Sequence, residues 1–154
     1  ISIPLEGDLE HKDSMGNTEV IKEGDIQVMS AGSGVFHSEY NKNSDREVKF
    51  LQIWVLPNEQ QVTPRYDQIT LDAAERNNKL QQVLSPYPDD EGVWIHQDAW
   101  FHMTRLDKDK TVYYDLKENR YLVSGLDNQR TPYRFSDQAD PREFSPNALS
   151  FYIR

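Results

Sequence analysis

The stretch SAGSGVFHSEYN, residues 30–41, contains the strongest structural signal in the chain. Its small residues and glycines predict a turn, and the residues after them are typical of a strand. Successive side chains of a strand point to opposite faces, so His37 and Glu39 are expected on the same face. An imidazole nitrogen and a carboxylate oxygen are two of the donor types that bind transition metals. The stretch therefore predicts half of a metal site.

Length and charge limit the classes of protein to which the chain can belong. It has 154 residues, of which 17 are basic and 26 acidic, for a formal net charge of −9. This length fits one ordinary domain or two small ones. The negative charge argues against direct binding of nucleic acid, whose phosphates would be repelled. No apolar run approaches the roughly 20 residues that span a bilayer, so no membrane partner is expected.

The sequence contains no cysteine. Disulfides, thiolate catalysis and zinc sites built from cysteine are therefore excluded within it. The absence fits a cytoplasmic protein, which is the predicted localisation. Residues 1–5 already have the pattern of a strand interior, so we expect further residues upstream of Ile1 in the parent protein.

Strand and turn signals dominate residues 1–60. LEHKDSMGNTEVI predicts a hairpin that turns at residues 13–17, and KEGDIQVMSAG predicts a turn at Gly24 followed by a strand. The apolar run KFLQIWVLP, residues 49–57, predicts a buried strand. Short strands at close spacing are typical of an all-β sandwich or barrel, and all-β is the predicted fold class.

Residues 61–88 differ in composition and are predicted to connect two β units. Prolines surround LDAAERNNKLQQVL, the best helical stretch, in which two adjacent asparagines favour at most a short helix. Arg65 and Tyr66, in TPRYDQ, are expected to bridge the two units. Strands are predicted again in GVWIHQDAWFHMTRL, KTVYYDLK, RYLVSGL and the closing ALSFYIR, whereas the segment between the last two is predicted to be a loop.

Ordered motifs from Leu5 to about Leu116 resemble the pirin family, two-domain proteins of the cupin superfamily. The resemblance rests on DSMGN, MSAGSGVFHSE, LQIWVLP and VWIHQDAWF, and it fades beyond Lys117. It implies a bicupin of two double-stranded β-helix barrels. The predicted organisation is an N-terminal cupin domain at 1–60 that holds half of the metal site, a connector at 61–88 and a C-terminal cupin-like domain at 89–154.

The resemblance implies that His37 and Glu39 are metal ligands. The family's other two ligands form a His-x-His motif shortly before a glycine that corresponds to Gly7, which places that motif upstream of Ile1. The first barrel is therefore expected to be N-terminally incomplete here, and two ligands alone are expected to hold a metal weakly. The other histidines of the chain form no His-x-His motif; they are His11, His96 and His102.

What the resemblance implies about activity is a metal-dependent quercetin 2,3-dioxygenase, an oxidoreductase acting on flavonols with one divalent metal, Fe(II). Glu39 would have a second, catalytic role as the base that accepts a proton from a substrate hydroxyl. The alternative is a non-enzymatic regulatory protein that binds partner proteins in a metal-dependent way, and the acidic charge would favour a basic partner. A third alternative is a partial chain that keeps the fold without activity.

The remaining histidines are expected to have structural roles. His11 and Asp13, in EHKDS, could form a ligand pair or an acid–base pair, but the favoured expectation is an exposed position at the shoulder of the hairpin. His96 and His102 are expected to pack and hydrogen-bond within the second β unit, because they stand among tryptophans and Phe101.

Overall fold

A computed structural model describes residues 1–126 and 148–153. Within these residues the regular structure consists of strands and one short 3-10 helix, Ala73–Arg76, which confirms the predicted all-β class. Among them no helix has the length and apolar character needed to span a bilayer. The strands are β1 Ser2–Glu6, β2 Leu9–Asp13, β3 Thr18–Ile21, β4 Asp25–Ser30, β5 His37–Asn41, β6 Lys49–Gln52, β7 Arg65–Thr70, β8 Gln81–Ser85, β9 Val93–Trp94, β10 Phe101–Met103, β11 Tyr121–Leu126 and β12 Ala148–Ile153.

The chain forms two compact units that alternate along the sequence. Unit 1 contains Ile1–Leu71 and Gly92–Gln97, and unit 2 contains Asp72–Glu91 and Asp98–Arg154. The chain therefore returns to unit 1 for six residues after it has begun unit 2. The domain limits expected from the sequence, 1–60 and 89–154, stay a prediction.

Unit 1 is built from two antiparallel sheets. One has the strand order β6–β1–β4–β7 and the other the order β3–β2–β5. Their apolar side chains form the core of the unit, where Ile3, Leu9, Ile21, Ile26 and Val28 are each at most 2% exposed. Polar side chains share this interior: Ser2, His11 and Gln27 are also no more than 2% exposed. A polar interior between two sheets is an arrangement that can hold a ligand or an ion.

The predicted hairpin at residues 13–17 is confirmed, since it joins β2 to β3. Its turn is held by one side chain, because Asp13 Oδ1 accepts hydrogen bonds from the backbone N–H groups of Met15 and Asn17 at 2.9 and 3.1 Å. The strand predicted after Gly24 is also confirmed as β4. Its Gln27 is as deeply buried as its Ile26 and Val28, so β4 is covered on both faces.

The prediction of a buried strand over residues 49–57 is confirmed only as a strand over 49–52, and it is wrong about burial, because the residues of that strand are half-buried or exposed. The strand β6 ends at Gln52, and the side chains of Trp54 and Leu56 are 89% and 86% exposed. The segment beyond β6 is attached through its backbone, because the N–H of Ile53 donates to Ile1 O at 2.8 Å. Apolar composition predicts burial only where another surface covers the chain, and no described residue covers these two side chains.

The segment 61–88 contains more strand than the composition predicts. Strand β7 pairs with β4 in continuous register from Asp25↔Thr70 to Ser30↔Arg65, and QQVL belongs to strand β8 rather than to a helix. The 3-10 helix is capped by Asp72, which accepts from the N–H of Ala74, and it stops before Asn78, whose φ is +56°. Asn78 in the left-handed region does not continue a right-handed helix.

Unit 2 contains the neighbouring strands β11, β12, β10 and β8, paired antiparallel in that order. Val83, Leu84 and Phe101 are at most 1% exposed and form its core. The strands predicted in RYLVSGL and ALSFYIR are confirmed as β11 and β12, whereas KTVYYDLK forms no strand although it buries Val112. The loop predicted between those two strands falls on residues 127–147, which lie outside the described residues.

Candidate metal centre

The chain reaches β5 through a turn that requires glycine. Gly32 has a φ of +51°, and a Cβ atom on it would stand 2.0 Å from the backbone oxygen of Val62. The N–H of Ser33 donates to the same oxygen at 3.0 Å, and Gly34 N–H donates to Ala31 O at 2.8 Å. The small residues before His37 therefore allow the backbone to pass close to residue 62 and then start β5.

Strand β5 presents His37 and Glu39 on one face, together with two residues of β2. In the antiparallel register Glu39 lies opposite His11, and His37 lies opposite Asp13. Residues directly opposite each other in such a pair extend their side chains to the same side of the sheet. Four donor side chains, two imidazoles and two carboxylates, therefore share the inner face of this sheet.

The carboxylate of Glu39 is held by the facing sheet at both oxygens. Ser2 Oγ donates to its Oε1 at 2.9 Å, and Gln52 Nε2 donates to its Oε2 at 2.6 Å. Ser2 and Gln52 lie opposite each other on β1 and β6. Each carboxylate oxygen keeps a further lone pair, so the group is oriented while it remains able to bind an ion.

The expectation that His11 and Asp13 are exposed at the hairpin shoulder is wrong. His11 is 1% exposed, the side chain of Asp13 is 0% exposed, and His11 Nε2 lies 3.1 Å from Asp13 Oδ2. Both residues have the same parity in β2 as Leu9, whose side chain belongs to the core, while Glu10 and Lys12 alternate with them. This parity is the signal in the sequence that indicates an inward position.

Asp13 is ionised in this environment. Burial alone raises its pKa, but hydrogen bonds from the Asn17 side chain, from His11 and from the backbone of Asn17 and Met15 together lower the pKa to about 2. An ionised carboxylate only accepts hydrogen bonds, so Nε2 of His11 is assigned the proton that it donates. The other ring nitrogen, Nδ1, is buried and has no hydrogen-bond partner among the described residues.

The ring of His11 contacts two other rings at the site. It stacks on His37 with centroids 5.8 Å apart and planes inclined by 20°, and it lies 4.8 Å from the ring of Tyr66. Tyr66 Oη donates to Gln68 Oε1 at 2.6 Å, and burial raises the pKa of this phenol. The sequence suggested a bridging role for Tyr66 and did not place it at this site.

Arg65, which neighbours Tyr66 on β7, is directed elsewhere in unit 1. Its guanidinium lies 3.9 Å from the ring centroid of Trp94, donates to the backbone oxygen of Trp94 at 2.6 Å and pairs with Asp67 at 2.9 Å. This set of contacts attaches the segment 92–97 to unit 1. Arg65 is therefore structural at this position.

The last two histidines pack against aromatic rings. His96 lies 4.8 Å from Trp94 in unit 1, and His102 on β10 of unit 2 lies 5.0 Å from Tyr114. Burial lowers the pKa of His102 to about 4, and the positive charge of Lys117 acts in the same direction. His102 is consequently neutral near pH 7.

The described residues fit half of a coordination sphere. The imidazole of His37 is exposed at the first residue of β5, and the carboxylate of Glu39 follows on the same face of the strand. A nitrogen and a carboxylate oxygen are donor types that suit a divalent transition metal. Within residues 1–126 and 148–153 no group of three or more His, Cys, Asp or Glu side chains could hold an ion. Further ligands would have to be water, substrate atoms or donors outside these residues.

Two antiparallel sheets around a partly polar interior are consistent with the β-barrel of the cupin class. The model of the Pirin family matches residues 1–55, and that of the quercetinase C-terminal cupin domain matches residues 82–123. The chain belongs to the pirin family.

Named relatives agree with this assignment. The chain is 42% identical over 116 residues to a quercetin 2,3-dioxygenase of Escherichia coli (strain K12), an alignment that covers 75% of this chain and 49% of the relative. The chain thus spans about half the length of the curated relatives it matches.

Solved structures show the same fold. The bacterial pirin YhhW of Escherichia coli in complex with nickel(II) has a TM-score of 0.75 and 30% identity, covering 99% of this chain and 66% of that chain. A quercetin 2,3-dioxygenase structure from Acinetobacter baumannii has a TM-score of 0.58 and 20% identity, covering 98% and 55%, and shares the fold alone.

Proposed function

We propose that the protein acts as a metal-dependent dioxygenase on a flavonol such as quercetin, with His37 and Glu39 as ligands of one divalent metal. The observation that supports this most is the orientation of Glu39, whose two oxygens accept hydrogen bonds from Ser2 and Gln52 beside His37. The name of the relative from Escherichia coli, quercetin 2,3-dioxygenase, supports the substrate class.

The metal proposed is Fe(II), although the related bacterial pirin of Escherichia coli was solved in complex with nickel(II). When bound, such an ion supplies electron transfer between a chelated aromatic substrate and O₂. The donors of His37 and Glu39, one nitrogen and one carboxylate oxygen, are compatible with either ion. Oxygen consumption by samples loaded with Fe(II) or Ni(II) distinguishes the two.

The side chains around the pair have roles of their own in this proposal. Glu39 accepts the proton of the substrate hydroxyl that approaches the site, and the hydroxyl of Ser2 and the amide of Gln52 keep its carboxylate directed to that position. The buried ring of His11, with the half-buried ring of Tyr66 packed against it, limits the access of water to the site beside His37.

The test is oxygen consumption with quercetin by the chain loaded with Fe(II) under reducing conditions, with a parallel sample loaded with Ni(II) and the metal content verified in each. We expect turnover that His37→Ala abolishes and that His102→Phe, a substitution in unit 2, leaves unchanged. A sample with verified metal that consumes no oxygen contradicts the proposal. The regulatory alternative and the cytoplasmic localisation stay predictions.

A further inference from the structure

We infer that the buried pair His11–Asp13 is a positioning element that holds the ring of His37 in the orientation needed to bind the metal. This inference rests on the proposed function, because it concerns a ligand of that site. His11 acts through another residue and is not itself proposed as a ligand.

The orientation of the His37 ring depends on its neighbours. Metal-binding histidines usually donate their second ring N–H to a carboxylate or a carbonyl, which fixes the ring. Among the described residues no side chain or backbone group forms a hydrogen bond with the ring of His37. Its ring stacks on that of His11, with centroids 5.8 Å apart and planes inclined by 20°.

The ring of His11 is itself fixed by its neighbours. Its Nε2–H donates to Asp13, whose oxygens are in turn held by Asn17 and by the backbone of Met15. The ring of Tyr66 contacts it at 4.8 Å, and the residue is 1% exposed. The ring of His11 is therefore a rigid surface, whereas His37 at the start of β5 is exposed and free of hydrogen bonds within the described residues.

Burial alone does not explain an imidazole at position 11. Its Nδ1 is buried without a hydrogen-bond partner among the described residues, an unfavourable state that an apolar side chain of similar volume would avoid. What the imidazole adds is a flat ring whose plane Asp13 sets. A plane set in this way supports the stacked ring of His37, and preorganisation of a ligand by its neighbours strengthens metal binding.

The direct test needs no metal. The χ1 rotamer of His37 is measured from NMR side-chain couplings in the 154-residue chain and in three variants. We expect one dominant rotamer in the unmodified chain and averaged couplings in two variants: His11→Leu, which has no ring, and His11→Phe, whose ring cannot donate a hydrogen bond to Asp13. The matched control is His102→Phe, which replaces another buried histidine.

Two results overturn the inference: a single His37 rotamer in His11→Leu or His11→Phe, or averaged couplings already in the unmodified chain. Circular dichroism establishes that each variant is folded. If His11→Leu does not fold, Asp13→Asn is measured in its place, because it keeps the ring of His11 but weakens the hydrogen bond that sets its plane. An unchanged His37 rotamer in Asp13→Asn would also contradict the inference.

A second measurement separates this inference from the proposed function. Calorimetric titration with Ni(II) is expected to give a Kd about 10-fold weaker for His11→Leu and for His11→Phe, with His102→Phe close to the unmodified chain. Absence of Ni(II) binding by the unmodified chain contradicts the proposed metal site, while the rotamer comparison still decides the role of His11. Equal affinities in all variants, with binding intact, contradict only the inference.

Discussion

Ser2 Oγ and Glu39 Oε1 are joined by a hydrogen bond of 2.9 Å that connects the two sheets of unit 1. Ser2 lies at the start of β1, and Glu39 lies in the middle of β5, so the bond determines how the acid faces the other sheet. Gln52 donates to the second oxygen from β6. The orientation of the proposed ligand thus depends on residues that are far from it in the sequence.

Removing one of these donors is expected to weaken metal binding. In Gln52→Ala the Oε2 atom of Glu39 loses its donor and the carboxylate gains rotational freedom, so we expect Ni(II) affinity and quercetin turnover to fall by about 10-fold. Calorimetry and oxygen consumption measure the two effects. Gln60→Ala, an exposed glutamine in the following loop, is the control and should change neither. Unchanged affinity in Gln52→Ala would show that Ser2 alone orients the acid.

Acid should destabilise the chain between about pH 4 and pH 2 through Asp13. Its pKa is lowered from 3.8 to about 2 in the folded chain, so its stabilising contribution is complete above pH 4 and is lost as the pH falls through the folded value. The size of the loss is on the order of 2 kcal/mol. Urea unfolding at several pH values measures it.

In the same series Asp13→Asn should show a flatter dependence below pH 4. The exposed Asp89→Asn is the control, and its curve should follow that of the unmodified chain. A steep loss that persists in Asp13→Asn would assign the acid sensitivity to other carboxylates.

His102 is expected to change the stability of the chain in a separate pH range, above that of Asp13. Burial lowers its pKa from 6.5 to about 4, so the unfolded chain binds a proton in this range that the folded chain does not. The free energy of unfolding should therefore fall as the pH decreases from 6.5 to about 4. Below pH 4 this residue should cause no further decrease. His102→Phe should remove the slope, and an NMR titration of the ring should give a midpoint near 4. A midpoint near 6.5 would be inconsistent with burial of the ring.

Exposed and buried aromatic residues should differ in their effect on stability. Trp54→Ser replaces a side chain that is 89% exposed, and we expect the free energy of unfolding to change by less than about 0.5 kcal/mol. Phe101→Ala empties a position that is 1% exposed and should cost about 3–5 kcal/mol. Chemical denaturation measures both. A large loss in Trp54→Ser would mean that its indole is covered in solution.

Local patterns in the sequence were sufficient for part of this fold. The turn chemistry around Asp13 and the alternation in β4 and β5 predict these elements, because the signals lie within a few residues of each other. The strand β7 has the sequence RYDQIT, with little apolar character, and it forms because β4 offers a complete partner edge. Pairing between distant segments is a non-local effect that propensity does not contain.

The candidate site divides in the same way. His37 and Glu39 are found from a motif within one strand, whereas Tyr66 reaches His11 only through the pairing of β7 with β4. The inward position of His11 and Asp13 follows from their parity with Leu9, but polar composition argued against it. The burial of Asp13 beside His11 can be predicted from the position of both residues in the strand, but not from their residue types.

The six residues 92–97 give unit 1 a discontinuous chain, and this has a consequence for dissection of the protein. A single cut after residue 71 would remove Trp94 from beneath the guanidinium of Arg65, and it would leave the N–H of Asn58 without the carbonyl of His96. The fragment 1–71 would lack part of its own interior, so unit 1 cannot be isolated by simple truncation. A gene in which a short linker replaces residues 72–91, followed by residues 92–97, is the form in which unit 1 could be isolated.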